Sequence, residues 1–167
     1  MLLCIDIGNT NTVLATFEGE AIVHSWRVKT DARSTADELG LLYCGLLNGI
    51  GPSGRGPGAA AITGVAACST VPAALRSLRT MLARYFGHVR SVIVEPGVRT
   101  GVQLAIDNPK EVGADRVVNT LAAYTLYGGP SIVVDFGTTT NFDVISARGE
   151  FLGGAFAPGI EISFDAL

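Results

Sequence analysis

Asp6-Ile7-Gly8-Asn9-Thr10-Asn11-Thr12 closes the run that begins at Leu2, and Asp135-Phe136-Gly137-Thr138-Thr139-Thr140-Asn141 closes the run that begins at Ser131. Each time an apolar segment of strand character delivers one Asp, then a Gly, then several small hydroxyl or amide residues, and then a second strand. A lone Asp-x-Gly is simply a good turn. Two copies, each at the tip of a buried strand and each followed by several donors, describe a strand–turn–strand phosphate cradle. The Gly lets backbone approach an anion, and Thr and Asn side chains with backbone N–H groups donate to it. The leading Asp cannot sit against a phosphate unless a cation or a water lies between them, so the pattern implies Mg²⁺, a monovalent cation or bound water. The duplication predicts two related lobes facing each other across a nucleotide.

The elements around these turns follow from periodicity. Leu2 to Ile7, Thr12 to Glu18 and Ala21 to Val28 read as three strands joined by tight connections, an antiparallel meander. Ser34 or Thr35 caps a helix whose first turn holds Asp37 and Glu38, with Leu39, Leu42, Leu46 and Leu47 on one face. Residues 51–58, GPSGRGPG, form a surface loop or short linker and match neither a P-loop nor a GxGxxG fingerprint. Ala60 to Ala67 reads as a buried strand, and Val71-Pro72 opens a helix with Leu75, Leu78, Leu82 and Tyr85 at helical spacing. Val89 to Val94 is a strand and 98–109 a loop. Ala114 to Tyr127 is a helix with Val117, Val118, Leu121 and Tyr124 inward. Phe142 to Ile145 and Glu150 to Phe156 are strands. The alternation defines an α/β fold, a mixed sheet flanked by helices.

Composition narrows the function. The chain has 167 residues, 48% apolar and only 16% charged, against about 25% charged in an average domain. At this length about 68–70% of the unfolded surface can be buried, so a core forms without disulfides or metals. A net charge of −3 and scattered Lys and Arg leave no basic stripe for nucleic acid. The longest small-apolar stretch, Ala59 to Cys68, is far short of the roughly 20 residues of a membrane span. The start, Met-Leu-Leu-Cys-Ile-Asp, has no basic region of a secretion signal. Cys4, Cys44 and Cys68 are widely spaced among apolar neighbours and read as small core residues in a reducing cytoplasm.

Between the two turns lies Asn108-Pro-Lys-Glu-Val-Gly-Ala-Asp115-Arg116 at the mouth of a helix. Asp115 suits a helix N-terminus for its dipole alone. It is equally suited to accept a proton from a substrate hydroxyl attacking phosphorus, with Arg116 beside it as a fork for carboxylate or phosphate. His24 and His88 have no ligand partners near them in sequence, which argues against zinc.

These segments together, with Gly153-Gly-Ala-Phe-Ala-Pro-Gly after them, resemble the type III pantothenate kinases of bacteria, within the acetate and sugar kinase, Hsp70 and actin superfamily. The resemblance runs from Met1 to Leu167 with the motifs in order. It implies ribonuclease-H-like lobes, an N-terminal one over 1–128 that includes the substrate-site helix and the start of a second over 129–167. It implies a cytoplasmic enzyme that phosphorylates pantothenate with ATP and Mg²⁺, the first step of coenzyme A synthesis. It also implies a homodimer and a monovalent cation, K⁺ or NH₄⁺.

Carried over by position, Asp6, Ile7, Gly8, Asn9, Thr10, Asn11, Thr12 and Val13 form the first phosphate loop, and Thr138 contacts the ATP phosphates. Gly113, Ala114, Asp115 and Arg116 line the substrate site, with Asp115 as general base. Asp135 holds the monovalent cation. Thr139 departs from the family's usual small, alanine-like residue. Family members continue well beyond the position of Leu167, so the resemblance implies a C-terminally truncated chain with an incomplete second lobe. The alternatives are a non-catalytic nucleotide-binding regulator, against which the joint presence of Asp6, Asp115 and Asp135 argues, and an inactive fragment.

Overall fold

Alternation decides the first strand, β1 (Leu2–Ile7): Leu3, Ile5 and Ile7 are buried while Leu2 and Asp6 face out. The computed structural model describes residues 1–49 and 56–166. Residues 51–55 of the Gly/Pro-rich stretch read as a loop lie outside the described residues.

β1 is the middle of a five-stranded sheet. It pairs antiparallel with β2 (Asn11–Glu18), which pairs antiparallel with β3 (Ala21–Lys29). On its other side it runs parallel to β4 (Gly64–Ser69), which runs parallel to β5 (Arg90–Val94). The order is β3-β2-β1-β4-β5, with helices α1 (Ala36–Leu47) and α2 (Pro72–Tyr85) as the parallel strands' crossovers. The core joins Leu3, Ile5 and Ile7 to Tyr43, Leu47 and Leu78.

In the first unit three local readings change. The strand expected from Ala60 starts at Gly64, because Ala59–Ala61 form a 3₁₀ turn; an apolar run without polar punctuation does not mark where a strand begins. The buried stripe of α1 runs Leu39, Tyr43, Leu47, so Tyr43 replaces Leu42, which is half exposed. Tyr85, expected inward on α2, instead donates its hydroxyl to Asp37 Oδ1 at 3.0 Å, beside an Arg84–Asp37 ion pair that ties the two helices together.

The cap of α1 is the expected box. Thr35 accepts from the Glu38 N–H at 3.3 Å, and Glu38 Oε2 accepts from the Thr35 N–H at 2.7 Å. Thr35→Ala should therefore lower stability by about 1 kcal/mol, read as a fall in the urea midpoint with no change in slope.

The chain divides into two compact units, Met1–Val94 and Glu95–Leu167. The division falls well before the 128/129 boundary of the sequence reading. The long helix α3 (Ala114–Tyr127) belongs with the second unit, where it packs on β6 (Ser131–Phe136) and β7 (Thr139–Ile145). β8 (Phe151–Pro158) completes an antiparallel sheet of order β6-β7-β8, and α4 (Ile160–Asp165) follows it. The segment around Gln103–Ala105 adds to the start of β8 through Ala105 N–H to Phe151 O at 2.8 Å and Phe151 N–H to Gln103 O at 2.9 Å. Of α3 only Thr120 is fully buried, its hydroxyl donating to Arg116 O. Val117 and Val118 are half-buried, and Leu121 and Tyr124 are exposed rather than inward. Among the described residues no helix is long and apolar enough to cross a membrane.

Candidate functional site

The two Asp-led turns occupy the same place in their units. β1 and β6 are six-residue strands with the Asp at the fifth position, and each opens an antiparallel meander. In the first turn Gly8 N–H donates to Asn11 O at 3.0 Å; in the second Gly137 N–H donates to Thr139 O at 3.0 Å. The second is thus a residue tighter. A Cβ at Gly8 would press on Asn11 O at 3.1 Å, so this glycine answers to close approach rather than to a left-handed conformation.

The first turn is anchored from β4. Ile7 O accepts from Thr70 N–H at 3.0 Å, from Thr70 Oγ1 at 3.3 Å and from Ser69 Oγ at 3.4 Å. Asn9 and Thr10 are exposed at its tip, and Asp6 is exposed beside it. Two residues of the expected phosphate loop face the other way. Ile7 lies in the core, and Thr12, 3% exposed, points inward with Oγ1 2.9 Å from Thr30 Oγ1. Burial near this pair pushes the Tyr43 phenol up to about 12. Only the backbone of Ile7 and Thr12 remains to serve a ligand at the turn. Cys68 was missed as more than core: its thiol donates to Asp6 Oδ1 at 3.2 Å, across the parallel pair Asp6–Cys68. That β4 register was the only signal, and a sequence does not display it.

In the second turn Gly137, Thr138 and Thr139 are exposed, and Thr139 Oγ1 donates to Asn141 Oδ1 at 2.7 Å. Thr140 is buried and bonds Pro158 O at 3.2 Å. Gly159 braces the turn, because a Cβ there would run into the carbonyl oxygens of Gly137 and Thr138. Asp135 sits half-buried on β6 opposite Asn141.

Asp115 and Arg116 occupy the first turn of α3, whose N-cap is Gly113. The Asp115 carboxylate turns back over Gly113, where any Cβ would meet its Oδ1. Arg116 is more enclosed than the sequence suggested. Its Nε donates to Asp143 Oδ1 at 2.5 Å and Nη2 to Phe142 O at 3.4 Å, and its guanidinium carbon lies 5.1 Å from the Phe151 ring and 4.6 Å from that of Phe156. Burial is the main cause raising the Asp143 carboxyl; the Arg116 bond opposes it, and the charge of Asp135 adds to it.

That last influence bears on the expected cation. Asp135 is close enough for its charge to act on a second carboxylate, and its cross-strand partner Asn141 brings an amide oxygen that also accepts from the Thr139 hydroxyl. This donor set suits a hard monovalent or divalent cation and not zinc. Among the described residues no three His, Cys, Asp or Glu side chains gather as a metal cage.

A sheet of order β3-β2-β1-β4-β5 in the first unit, with the meander and its Asp-led turn repeated in the second, defines a ribonuclease-H-like fold of the actin-like kind. Within it the chain belongs to the type III pantothenate kinase family, whose model matches residues 2–167. A type III pantothenate kinase of Salinispora arenicola is 80% identical over 167 residues, covering 100% of this chain and 63% of its own length. The chain spans less than two thirds of the curated relatives it matches. Among solved structures, a conserved protein of Campylobacter jejuni assigned to the Baf family of transcriptional activators superposes with a TM-score of 0.55 at 18% identity, over 98% of this chain and 58% of its own. A Ppx/GppA phosphatase of Aquifex aeolicus gives 0.53 at 17%, over 99% and 54%. At those identities the likeness is one of fold.

Proposed function

We propose that this protein phosphorylates pantothenate on its primary hydroxyl with ATP, giving 4'-phosphopantothenate, the first step of coenzyme A synthesis. The observation that carries the reading is Asp115. It is a carboxylate held at a helix mouth over a glycine, in a chain of this family that also carries an Asp-led turn in each unit.

In this mechanism Asp115 orients the hydroxyl and takes its proton as the oxygen attacks the γ-phosphorus; the bond to the β–γ bridging oxygen breaks and ADP leaves. The backbone N–H groups of residues 8–12, with Asn9 and Thr10 at the tip, donate to phosphate oxygens, as does Thr138 in the second turn. Val13 fixes the strand that follows the first loop. Gly113 and Ala114 shape the wall of the acceptor site, and Arg116 pairs with the acceptor's carboxylate. Asp135 would hold K⁺ or NH₄⁺, and Mg²⁺ would accompany ATP; together they neutralise charge that spreads over the transferring group. The active form is a cytoplasmic homodimer.

The test is ATP turnover by the purified full-length protein with Mg²⁺ and K⁺, with and without pantothenate. ADP formation at least tenfold faster with pantothenate is the expected result. ATP and pantothenate both binding, with no turnover, would overturn the catalytic reading and favour a nucleotide-binding regulator.

A further inference from the structure

Among the described residues Asp143 is the one charged residue that is fully buried, at 0% exposure, and the mechanism above gives it no task. It lies in the middle of β7, opposite Val133 on one side and Gly154 on the other. Gly154 leaves a gap in β8 between Phe151 and Phe156, and the Arg116 head enters that gap; a Cβ at position 154 would strike both Phe142 O and Arg116 Nη2. Five features therefore meet on one guanidinium: two aromatic faces, a carboxylate, a carbonyl and a missing side chain.

Stability alone does not account for this arrangement. A buried ion pair is generally matched or bettered by apolar residues of similar volume. This one is also incompletely satisfied, since Asp143 Oδ2 is buried without a hydrogen-bond partner among the described residues. What the pair supplies is direction. Asp143 and Phe142 O together occupy the Nε–Nη2 edge of the guanidinium, and the rings fix its plane. Nη1 makes no hydrogen bond to the described residues, and the Arg116 side chain is 12% exposed. A planar fork with one edge pinned and the other unused is set up to take a carboxylate.

We propose that Asp143 is a positioning residue for substrate selection: by pinning Arg116 between Phe151 and Phe156, it presents Nη1 to the carboxylate of the acceptor. This rests on the pantothenate reading and adds to it a residue outside the Gly113–Arg116 segment. Asp143 touches neither substrate nor phosphate; it acts through Arg116.

The test compares pantothenate with pantothenol, in which an alcohol replaces the carboxylate, in the full-length enzyme. The unsubstituted protein should prefer pantothenate about tenfold or more in kcat/KM, the scale of one charge-assisted pair. Asp143→Asn keeps shape and an acceptor oxygen but removes the charge that holds Arg116. It should raise the pantothenate KM about tenfold, change kcat less than threefold and leave the pantothenol KM unmoved. Arg116→Met combined with Asp143→Leu should melt near the unsubstituted protein yet show no preference, which a purely structural pair would not produce. Asp143→Asn with full preference and normal melting would overturn the inference. If Arg116→Met alone erased the preference in that case, the substrate reading would stand without it. No pantothenate-dependent turnover in the unsubstituted enzyme would remove both.

Discussion

Asp115→Asn should lower pantothenate-dependent turnover by about 10²–10⁴-fold while ATP affinity shifts less than twofold. The substitution keeps the shape of the side chain over Gly113 and removes its negative charge, and with it the ability to take a proton. The carboxylate is held in the first turn of α3, where it can accept a proton from a hydroxyl brought to the helix mouth. Steady-state kinetics with a parallel nucleotide titration separates the effects. A turnover within threefold of normal would leave Asp115 as no more than a helix-end residue.

Gly154→Ala should be the most damaging single methyl in the second unit, costing about 2–3 kcal/mol. The added carbon meets the Phe142 carbonyl, part of the β7 backbone, which cannot step aside without breaking the β7–β8 register, and it meets Arg116 Nη2. Gly64→Ala is the control. Its Cβ would have ordinary contacts, Leu2 Cδ1 at 3.5 Å and Arg90 O at 3.6 Å, so a change within about 0.5 kcal/mol is expected. Chemical denaturation gives the totals. Amide exchange over β7 and β8 tells whether the loss is centred where the clash is; protection unchanged there in Gly154→Ala would contradict the account.

Much of this fold is written in local pattern. The Leu2–Ile7 alternation, the Thr35–Glu38 box and proline at the start of α2 each signal their element within a few residues. What the sequence hides is set by partners distant along the chain. Tyr85 has an apolar helix position but a polar partner at Asp37. On α3 the fully buried side chain is Thr120 rather than the apolar ones expected, and Arg116 packs onto Asp143, a partner 27 residues away. The site divides in the same way. Asp6, Asp115 and Asp135 stand out because each sits in a local motif. Cys68, Asp143, Gly154 and Gly159 do not, because their significance lies in cross-strand register and in space that a missing Cβ leaves open.

The supports of the two Asp-led turns differ in kind. The first hangs from hydroxyls and an amide that converge on a single carbonyl, Ile7 O, so the loss of either Ser69 or Thr70 as a hydroxyl leaves others in place. The second is braced by an absence, the side chain that Gly159 lacks, and nothing can substitute for empty space. Duplicated halves that began alike would thus drift under unequal licence: the first turn can wander through neutral exchanges of its props, while the second is frozen at one letter.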